Sequence, residues 1–454
     1  MLRTNQLAKT PTAKAKRLCN ANAMLDPLSA IKTMLLQLVV VLALTSAAAS
    51  PGFLPARTAA TRWTAETVLC YLDARSEAGN PNFVWDSARF ERLLAFHDAP
   101  ADRGGGAPVD TLFNTFLLLG YEWRNGTMFW PGQGKAPGMN KTDWLGFLDL
   151  QLSMGAANLE LAAANVSARL PGMGGGGGTA AAAIASSCGG VRPSVILAVP
   201  CPDPRQTAFG PVAPGAPSLN FSTLADRVAA VQWWVREAVA RWAALVAAGS
   251  LQRTSLLGFY WFHESIDPGD EQLLPALAST IHGLDPSFLF TWIPYFRSVD
   301  DPEYAAWRDY GFDYVTLQPN FAFHNTSAGQ RFADVAQVMK ENHLGVELEL
   351  PDYIRNPQVA SWQESFTTYL DHVSAWPQSP MKTYLAHPAA RPPHPFTHHL
   401  PHHIRTLLAA RSQVLLWQRF CEHIRRKLEH LQLLPAAVLV REGELVRSRK
   451  PQVS

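Results

Sequence analysis

A regular alternation of short apolar runs with amphipathic stretches between residues 255 and 385 is the strongest constraint on the fold. The short runs have the composition of buried strands, and the stretches between them have the periodicity of helices. Strands that alternate with helices pair as a parallel sheet. The eight predicted strands are 66–73, 111–119, 194–200, 256–261, 288–293, 314–317, 345–350 and 381–385. Helices are predicted over 144–164, 225–247, 271–281, 302–309, 330–341 and 358–375.

The number of strands favours a closed barrel over an open sheet. Eight βα units are the content of a (β/α)8 TIM barrel, so we predict an α/β fold of that type. A dinucleotide-binding sheet has less support, because no Gly-x-Gly-x-x-Gly turn follows any predicted strand. A glycine- and alanine-rich insert over 172–185 cannot contribute to a packed core.

The two ends of the chain differ in composition from the centre. Residues 34–44 form an apolar run that is preceded by Lys32 and followed by small residues, the order of a secretory signal. Five Asn-x-Ser/Thr sequons agree with secretion, and a signal anchor is the alternative. We therefore divide the chain into a targeting region, a barrel domain, a proline- and histidine-rich linker and a basic helical tail, over residues 1–50, 60–385, 386–403 and 404–454.

Bulk composition narrows the choice of partners. A net charge of +2 and the lack of a basic stripe interleaved with aromatics argue against nucleic acid. We expect no membrane contact in the mature form, a monomer, and no cofactor. The histidines of the linker are read as solvated rather than as a metal site, and no metal is expected. Cys188 and Cys201 are close enough in sequence to be bridged in an oxidising compartment.

Acidic residues lie on two of the predicted strands. Glu264 follows the fourth strand, two residues after the aromatic run Tyr260, Trp261 and Phe262. Glu347 and Glu349 alternate with apolar residues on the seventh strand. The carboxyl ends of barrel strands surround one cavity, so carboxyl groups from these strands are expected to meet there. Glycoside hydrolysis needs this pair: a protonated acid for the leaving oxygen, and an ionised partner.

Each acid has an expected role. Apolar neighbours would raise the pKa of Glu264 by desolvation, which makes it the candidate proton donor. Glu349 lies nearer the end of its strand than Glu347 and is slightly preferred as the nucleophile, and both remain candidates. The alternative to a catalytic role is that these glutamates are solvated or cap a helix. However, burying an acid on an apolar strand is costly unless the acid has a role.

Further polar and aromatic residues at consecutive strand ends suit hydroxyl-rich ligands. Aromatic faces stack on sugar rings and amides bind hydroxyl groups, although packing is an equally common use of any single aromatic. His263 flanks the proton donor, and a packed histidine is the usual outcome for such a residue. The candidate substrate-binding residues are Trp261, His263, Trp292, Tyr295, Gln318 and Asn320.

Several segments together resemble a family of uncharacterised domains found mainly in bacteria. They are Gly258-Phe-Tyr-Trp-Phe-His-Glu264, Trp292-Ile-Pro-Tyr-Phe296, Gly311-Phe-Asp-Tyr314 with Leu317-Gln-Pro-Asn320, and Gly345-Val-Glu-Leu-Glu349. The family looks like TIM-barrel glycoside hydrolases of the retaining clan. The resemblance implies an acid/base after strand four and a nucleophile after strand seven. One departure is His263, which stands where that clan usually has Asn.

Three functions are compatible with these features. The first is a secreted glycoside hydrolase with a carbohydrate substrate and a two-carboxylate, retaining mechanism. The second is a catalytically inactive barrel that binds glycans, and the third is an extracellular scaffold without a ligand. A cavity that collects the acids would favour the first two, whereas acids paired with Arg or Lys would favour the third.

Overall fold

The barrel sheet is the centre of the molecule. The computed structural model describes residues 52–54, 58, 62, 66–72, 84–97, 108–111, 113–120, 123–129, 138–169, 191–321, 328–348, 372 and 382–385. Its strands are β1 (Glu66–Tyr71), β2 (Ala95–His97), β3 (Pro108–Thr111), β4 (Thr115–Leu119), β5 (Ser194–Val199), β6 (Ser255–Trp261), β7 (Leu289–Trp292), β8 (Tyr314–Leu317), β9 (Gly345–Leu348) and β10 (Lys382–Leu385).

Eight of these strands form a closed ring. Their order is β1-β10-β9-β8-β7-β6-β5-β4, and every pairing in the ring is parallel. The parallel α/β architecture predicted from the alternation is therefore confirmed. A complete set of eight βα units is not established by the described residues. β2 and β3 form a separate antiparallel pair.

Burial of both strand faces explains the composition of the ring. Every residue of β4, β7, β8 and β9 is buried, including the threonines of β4 and β8. One face of each strand packs inside the ring and the other packs under helices, so these strands are mostly apolar on both faces and do not alternate between apolar and exposed polar residues. The core is thus one continuous cluster around the ring.

The helices cover the outside of the ring. They are α1 (Ser87–Leu94), α2 (Lys141–Leu150), α3 (Ala157–Arg169), α4 (Leu224–Ala247), α5 (Asp270–Leu284), α6 (Glu303–Ala306) and α7 (Ala328–Asn342). Side-chain caps fix several of their starts. Asn140 and Asp143 form a reciprocal capping box at α2, and the hydroxyl of Thr223 accepts a hydrogen bond at the start of α4.

Two predicted elements are wrong in their bounds. The run 111–119 is not one strand: β3 ends at Thr111 and β4 begins at Thr115, because Phe113 leaves the sheet and its amide donates to the carbonyl of Leu93. The helix predicted over 144–164 is longer and is interrupted by a π-helical segment, Gln151–Ala156. There the buried amide of Gln151 donates to the carbonyl of Leu118 at 2.7 Å, so helix and sheet are joined at the wide turn.

Other elements were absent from the prediction. α1 begins after Asp86, whose carboxylate accepts from the amide of Arg89, and it packs Phe90 and Leu94 into the core. Upstream of the predicted domain start, Phe53 and Leu54 are also buried. The sequence allows a bridge between Cys188 and Cys201, and the structure does not form it. Cys201 is a free, buried thiol whose pKa is raised by burial.

Several predictions fall outside the described residues. They concern the signal region, the insert over 172–185, the helix over 358–375, the linker and the basic tail. Within the part of the chain that the structure describes, no helix has both the length and the apolar composition needed to cross a bilayer.

Candidate functional site

A small cavity opens at the carboxyl ends of the barrel strands. Its lining comes from β1, β4, β6 and β9 and from the residues that directly follow β6, β7 and β8. Its volume is about 60 Å³. The lining residues are Leu69, Tyr71, Leu119, Tyr260, Phe262, Glu264, Ile293, Gln318 and Glu347. The position at this end of the ring is where barrel enzymes carry their chemistry.

Glu264 reaches this cavity from the loop after β6. Burial raises the pKa of its carboxyl group from 4.5 to about 7. The residue keeps part of its surface exposed, so the carboxyl group is enclosed without being cut off from the cavity. The rise expected from its apolar neighbours is therefore present. A carboxylic acid that is still protonated near neutral pH suits proton donation.

Glu347 brings a second carboxyl group to the same cavity. It lies on β9, is only 2% exposed, and lines the cavity together with Glu264. Because β6 and β9 are separated by β7 and β8 in the ring, the two acids approach from different sides. Glu349, the other nucleophile candidate, lies outside the described residues.

Tyr260 and Gln318 supply further polar atoms to the cavity. Tyr260 is buried, and burial followed by the charges of Glu264 and Glu347 raises the pKa of its hydroxyl well above the ordinary value. The hydroxyl therefore stays protonated and can donate. Gln318 lines the cavity, and its Oε1 is buried without a hydrogen-bond partner among the described residues. A ligand hydroxyl group would satisfy that oxygen.

The two candidate stacking tryptophans are placed elsewhere. Trp261 and Trp292 are paired across β6 and β7, both are completely buried, and neither lines the cavity. Trp292 stacks on Phe312 with ring centroids 5.4 Å apart, and its indole N–H donates to the carbonyl of His263 at 2.7 Å. In this arrangement they are packing residues, and Trp292 also holds the backbone next to Glu264.

The remaining three candidates, His263, Tyr295 and Asn320, do not line the cavity. His263 is largely buried, and burial lowers the pKa of its imidazole against the opposing charge of Asp267. Tyr295 forms an isolated bridge with Gln318, and the guanidinium of Arg297 lies 5.5 Å from the centre of its ring. Asn320 has a φ of 56°, in the left-handed region that asparagine tolerates better than most residues.

Some residues near the site were missed in the sequence. Tyr260 and Phe262 share the side of β6 that leads to Glu264, and strict alternation along the strand would have selected them over Trp261. Asp267 and Asp270 lie beside His263. Burial raises the pKa of Asp270 to about 7, while the charge of Arg227 lowers it. Apart from their closeness to Glu264 in sequence, no pattern marks them.

Fold and cavity together define an α/β protein with a closed parallel ring and two carboxyl groups at the carboxyl ends of its strands. A sequence profile described as "Domain of unknown function (DUF4855)" matches residues 66–385. The chain belongs to this family. A comparison with curated proteins finds no match.

Solved structures with a distantly similar fold include glycoside hydrolases. A β-glucuronidase from an uncultured Clostridium species has a TM-score of 0.32 at 9% identity, with 71% of this chain and 43% of that chain covered. The Ignisphaera aggregans GH53 catalytic domain has a TM-score of 0.31 at 11% identity, covering 75% and 86%. Xylanase10C from Cellvibrio japonicus has a TM-score of 0.30 at 10% identity, covering 71% and 58%. Likeness at this level carries no argument about activity.

Proposed function

We propose that the protein is a secreted glycoside hydrolase built on a complete (β/α)8 barrel, with a carbohydrate substrate and Glu264 as the proton donor. The observation that carries the proposal is the meeting of Glu264, with a pKa of about 7, and Glu347 in one cavity at the carboxyl ends of the strands. One acid is held protonated by burial and the second comes from the other side. This is the division of labour that glycosidic cleavage requires.

The proposed reaction begins with proton transfer. The carboxylic acid of Glu264 protonates the glycosidic oxygen as its bond to the anomeric carbon breaks, and the leaving alcohol departs neutral. An ionised carboxylate on β9 or directly after it attacks the anomeric carbon and forms a glycosyl ester. Glu264, now ionised, takes a proton from water, which displaces the ester and releases the sugar. This sequence retains the anomeric configuration.

Gln318 and Tyr260 are the candidate contacts to sugar hydroxyl groups. Gln318 offers a buried acceptor oxygen, and Tyr260 offers a donor that stays protonated. The cavity, about 60 Å³, is smaller than pockets that enclose a whole ligand, which measure about 300–1,000 Å³. A cavity of this size can hold the carboxyl groups and the glycosidic oxygen. Binding of a whole sugar ring requires a wider opening at the carboxyl ends of the strands.

The test is hydrolysis of a panel of aryl glycosides and polysaccharides by the purified chain and by Glu264→Gln. We expect turnover on at least one substrate, lowered about 100- to 10,000-fold in the variant, because general-acid catalysis contributes that much. Equal turnover by both proteins, or none on any substrate, would contradict the proposal. Exposed Glu341→Gln is the matched control.

The choice between Glu347 and Glu349 needs a separate experiment. A 2-deoxy-2-fluoro glycoside with an activated leaving group accumulates the glycosyl ester, and peptide mass spectrometry then locates the sugar. A label on either residue supports the retaining mechanism and names the nucleophile. Turnover without any label, together with an inverted product, would replace retention by inversion.

A catalytically inactive glycan-binding barrel is the second candidate. His263 favours it, since the clan that the chain resembles has Asn immediately before the acid/base. Binding to a glycan array without hydrolysis of the bound glycans would select this function. A scaffold role has less support, because Glu264 and Glu347 line a common cavity.

A further inference from the structure

Three metal-ligating side chains meet behind Glu264, outside the cavity. They are His263, Asp267 and Asp270, from the loop that joins β6 to α5 and from the first residue of α5. One ligand atom from each lies within 4.8 Å of the other two. The Nδ1 of His263 and the Oδ2 of Asp267 are 3.6 Å apart, too far for a hydrogen bond.

Two of these residues have a side-chain atom that is buried and unsatisfied. Asp270 is 2% exposed, and its Oδ2 has no hydrogen-bond partner among the described residues. The Nδ1 of His263 is likewise buried without one. Buried polar atoms normally have a partner, so two unsatisfied atoms on residues of one cluster indicate a bound group. This observation is independent of the clustering itself.

The charges around the cluster have to admit a cation. Arg227 contacts Asp270 through the other oxygen, Oδ1, at 3.4 Å, so Oδ2 is left for a ligand. Arg297 lies near His263, but its guanidinium is paired with Asp301 and Glu303 at 2.5 Å each. Because Arg297 is neutralised by its own acids, the carboxylates of Asp267 and Asp270 outnumber the single guanidinium of Arg227, and the net charge at the cluster is negative.

We propose that His263, Asp267 and Asp270 bind a divalent transition-metal ion, with zinc(II) the best fit. One imidazole nitrogen and two carboxylate oxygens are ligands that zinc accepts at about 2.0–2.2 Å, with a water molecule completing a tetrahedron. Ligand atoms at that distance lie about 3.4 Å apart, close to the 3.6 Å between His263 and Asp267. Calcium prefers about six to eight oxygens, which this cluster does not offer.

The position of the site gives the metal a structural role. All three ligands lie within eight residues, 263–270, and Glu264 is inside that segment. A metal bound there joins the start of α5 to the end of β6 and restrains the loop that carries the proposed proton donor. The proposal does not depend on glycoside hydrolysis, because it concerns metal binding alone.

The test is calorimetric titration of the full chain with zinc chloride after the metal has been stripped. The linker histidines are an unrelated source of zinc binding, so the background protein has alanine at His394, His398, His399, His402 and His403. We expect one zinc ion per chain that is lost in His263→Ala and in Asp270→Asn. The control is His282→Ala. His282 lies on α5, as Asp270 does, but it is paired with Asp313 at 2.9 Å, so this variant should still bind the zinc ion.

Two further measurements make the result decisive. If Asp270→Asn does not fold, Asp267→Asn takes its place, because that side chain is 43% exposed and its loss is easier to tolerate. Magnesium and calcium should bind at least tenfold more weakly than zinc. Zinc binding that is unchanged in the cluster variants, no zinc binding at all, or calcium binding of equal strength would overturn the proposal.

Discussion

Burial of one carboxyl group is the central feature at the scale of residues. Glu264 has a pKa of about 7 because its charged form is desolvated. A carboxyl group whose folded pKa lies above its unfolded value of 4.5 binds protons more tightly in the folded state. Folding stability therefore falls as the pH rises through the range between these two values and stays low above it.

Glu264→Gln should remove this penalty. The shift from 4.5 to about 7 corresponds to about 3 kcal/mol at most. At about pH 8 we expect the variant to be more stable than the wild type by up to this amount. At about pH 4.5 the two proteins should have nearly equal stability. Urea denaturation at both values gives the free energies of unfolding. A difference that does not change with pH would contradict the assignment, and exposed Glu341→Gln is the control.

The sequence predicted the position of some residues in the cavity and misplaced others. Glu264 was found from its apolar neighbours, and Glu347 from its place on an apolar strand. Trp261 was assigned to substrate because it is aromatic, although it is adjacent to Tyr260 and so faces the other side of β6. The residue type alone identifies candidates for substrate binding. Whether a candidate reaches the cavity depends on which side of the strand its side chain lies.

At the scale of elements, β6 is shaped by a bulge and a glycine. Val195 and Ile196 of β5 pair with Leu256 and Gly258, so Leu257 is an extra residue in β6. At Gly258 the backbone of β7 comes so close that a Cβ atom would lie 2.0 Å from the carbonyl oxygen of Leu289. A side chain there would push β7 away and displace the strand that leads to Glu264.

Gly258→Ala and Gly283→Ala are a matched pair. The first places a methyl group against backbone atoms, and we expect a loss of about 1–3 kcal/mol or more in the free energy of unfolding. In the second, no atom lies within 4 Å of the added Cβ, which is on α5. We expect its free energy of unfolding to rise by up to about 1 kcal/mol, because alanine has a higher helix propensity than glycine. Urea denaturation distinguishes them. Similar stability of the two variants would mean that β6 and β7 are not in such close contact.

Elements with a uniform pattern were predicted well, and those with a local exception were not. The predicted strand Tyr314–Leu317 matches β8, and α4 differs from its prediction by one residue. The π-helical turn at Gln151 depends on a hydrogen bond to a strand that is distant in sequence, which periodicity does not encode. α1 has only 8 residues, which is shorter than the window over which a helical period can be recognised.

At the scale of the whole molecule, the ring is closed by contacts between the ends of the domain. β1 pairs with β10 on one side and β4 on the other, across more than 300 residues in the first case. The number of strands can be counted in a sequence, but pairing over that distance is decided by packing. The segment before β1 is also anchored, since the amide of Leu54 donates to the carbonyl of Leu344 at 3.1 Å.

Phe53→Ala tests whether this upstream segment belongs to the folded unit. Phe53 is 4% exposed, and truncation of a buried phenylalanine costs about 3–5 kcal/mol through lost burial and the cavity left behind. Leu161→Ala, at a leucine that is 51% exposed, should cost much less. Thermal unfolding of both variants checks the expectation. Equal melting temperatures would place the start of the domain after Phe53, as the predicted boundary at residue 60 does.

The most direct test of the account is the pH dependence of hydrolysis by the wild type and by Glu264→Gln on one substrate between about pH 5 and pH 9. Because the pKa of Glu264 is about 7, wild-type kcat/KM should fall as the pH rises above about 7, and this limb should disappear in the variant along with most of the rate. A limb that persists in Glu264→Gln, or a variant as fast as the wild type, would show that Glu264 is not the proton donor.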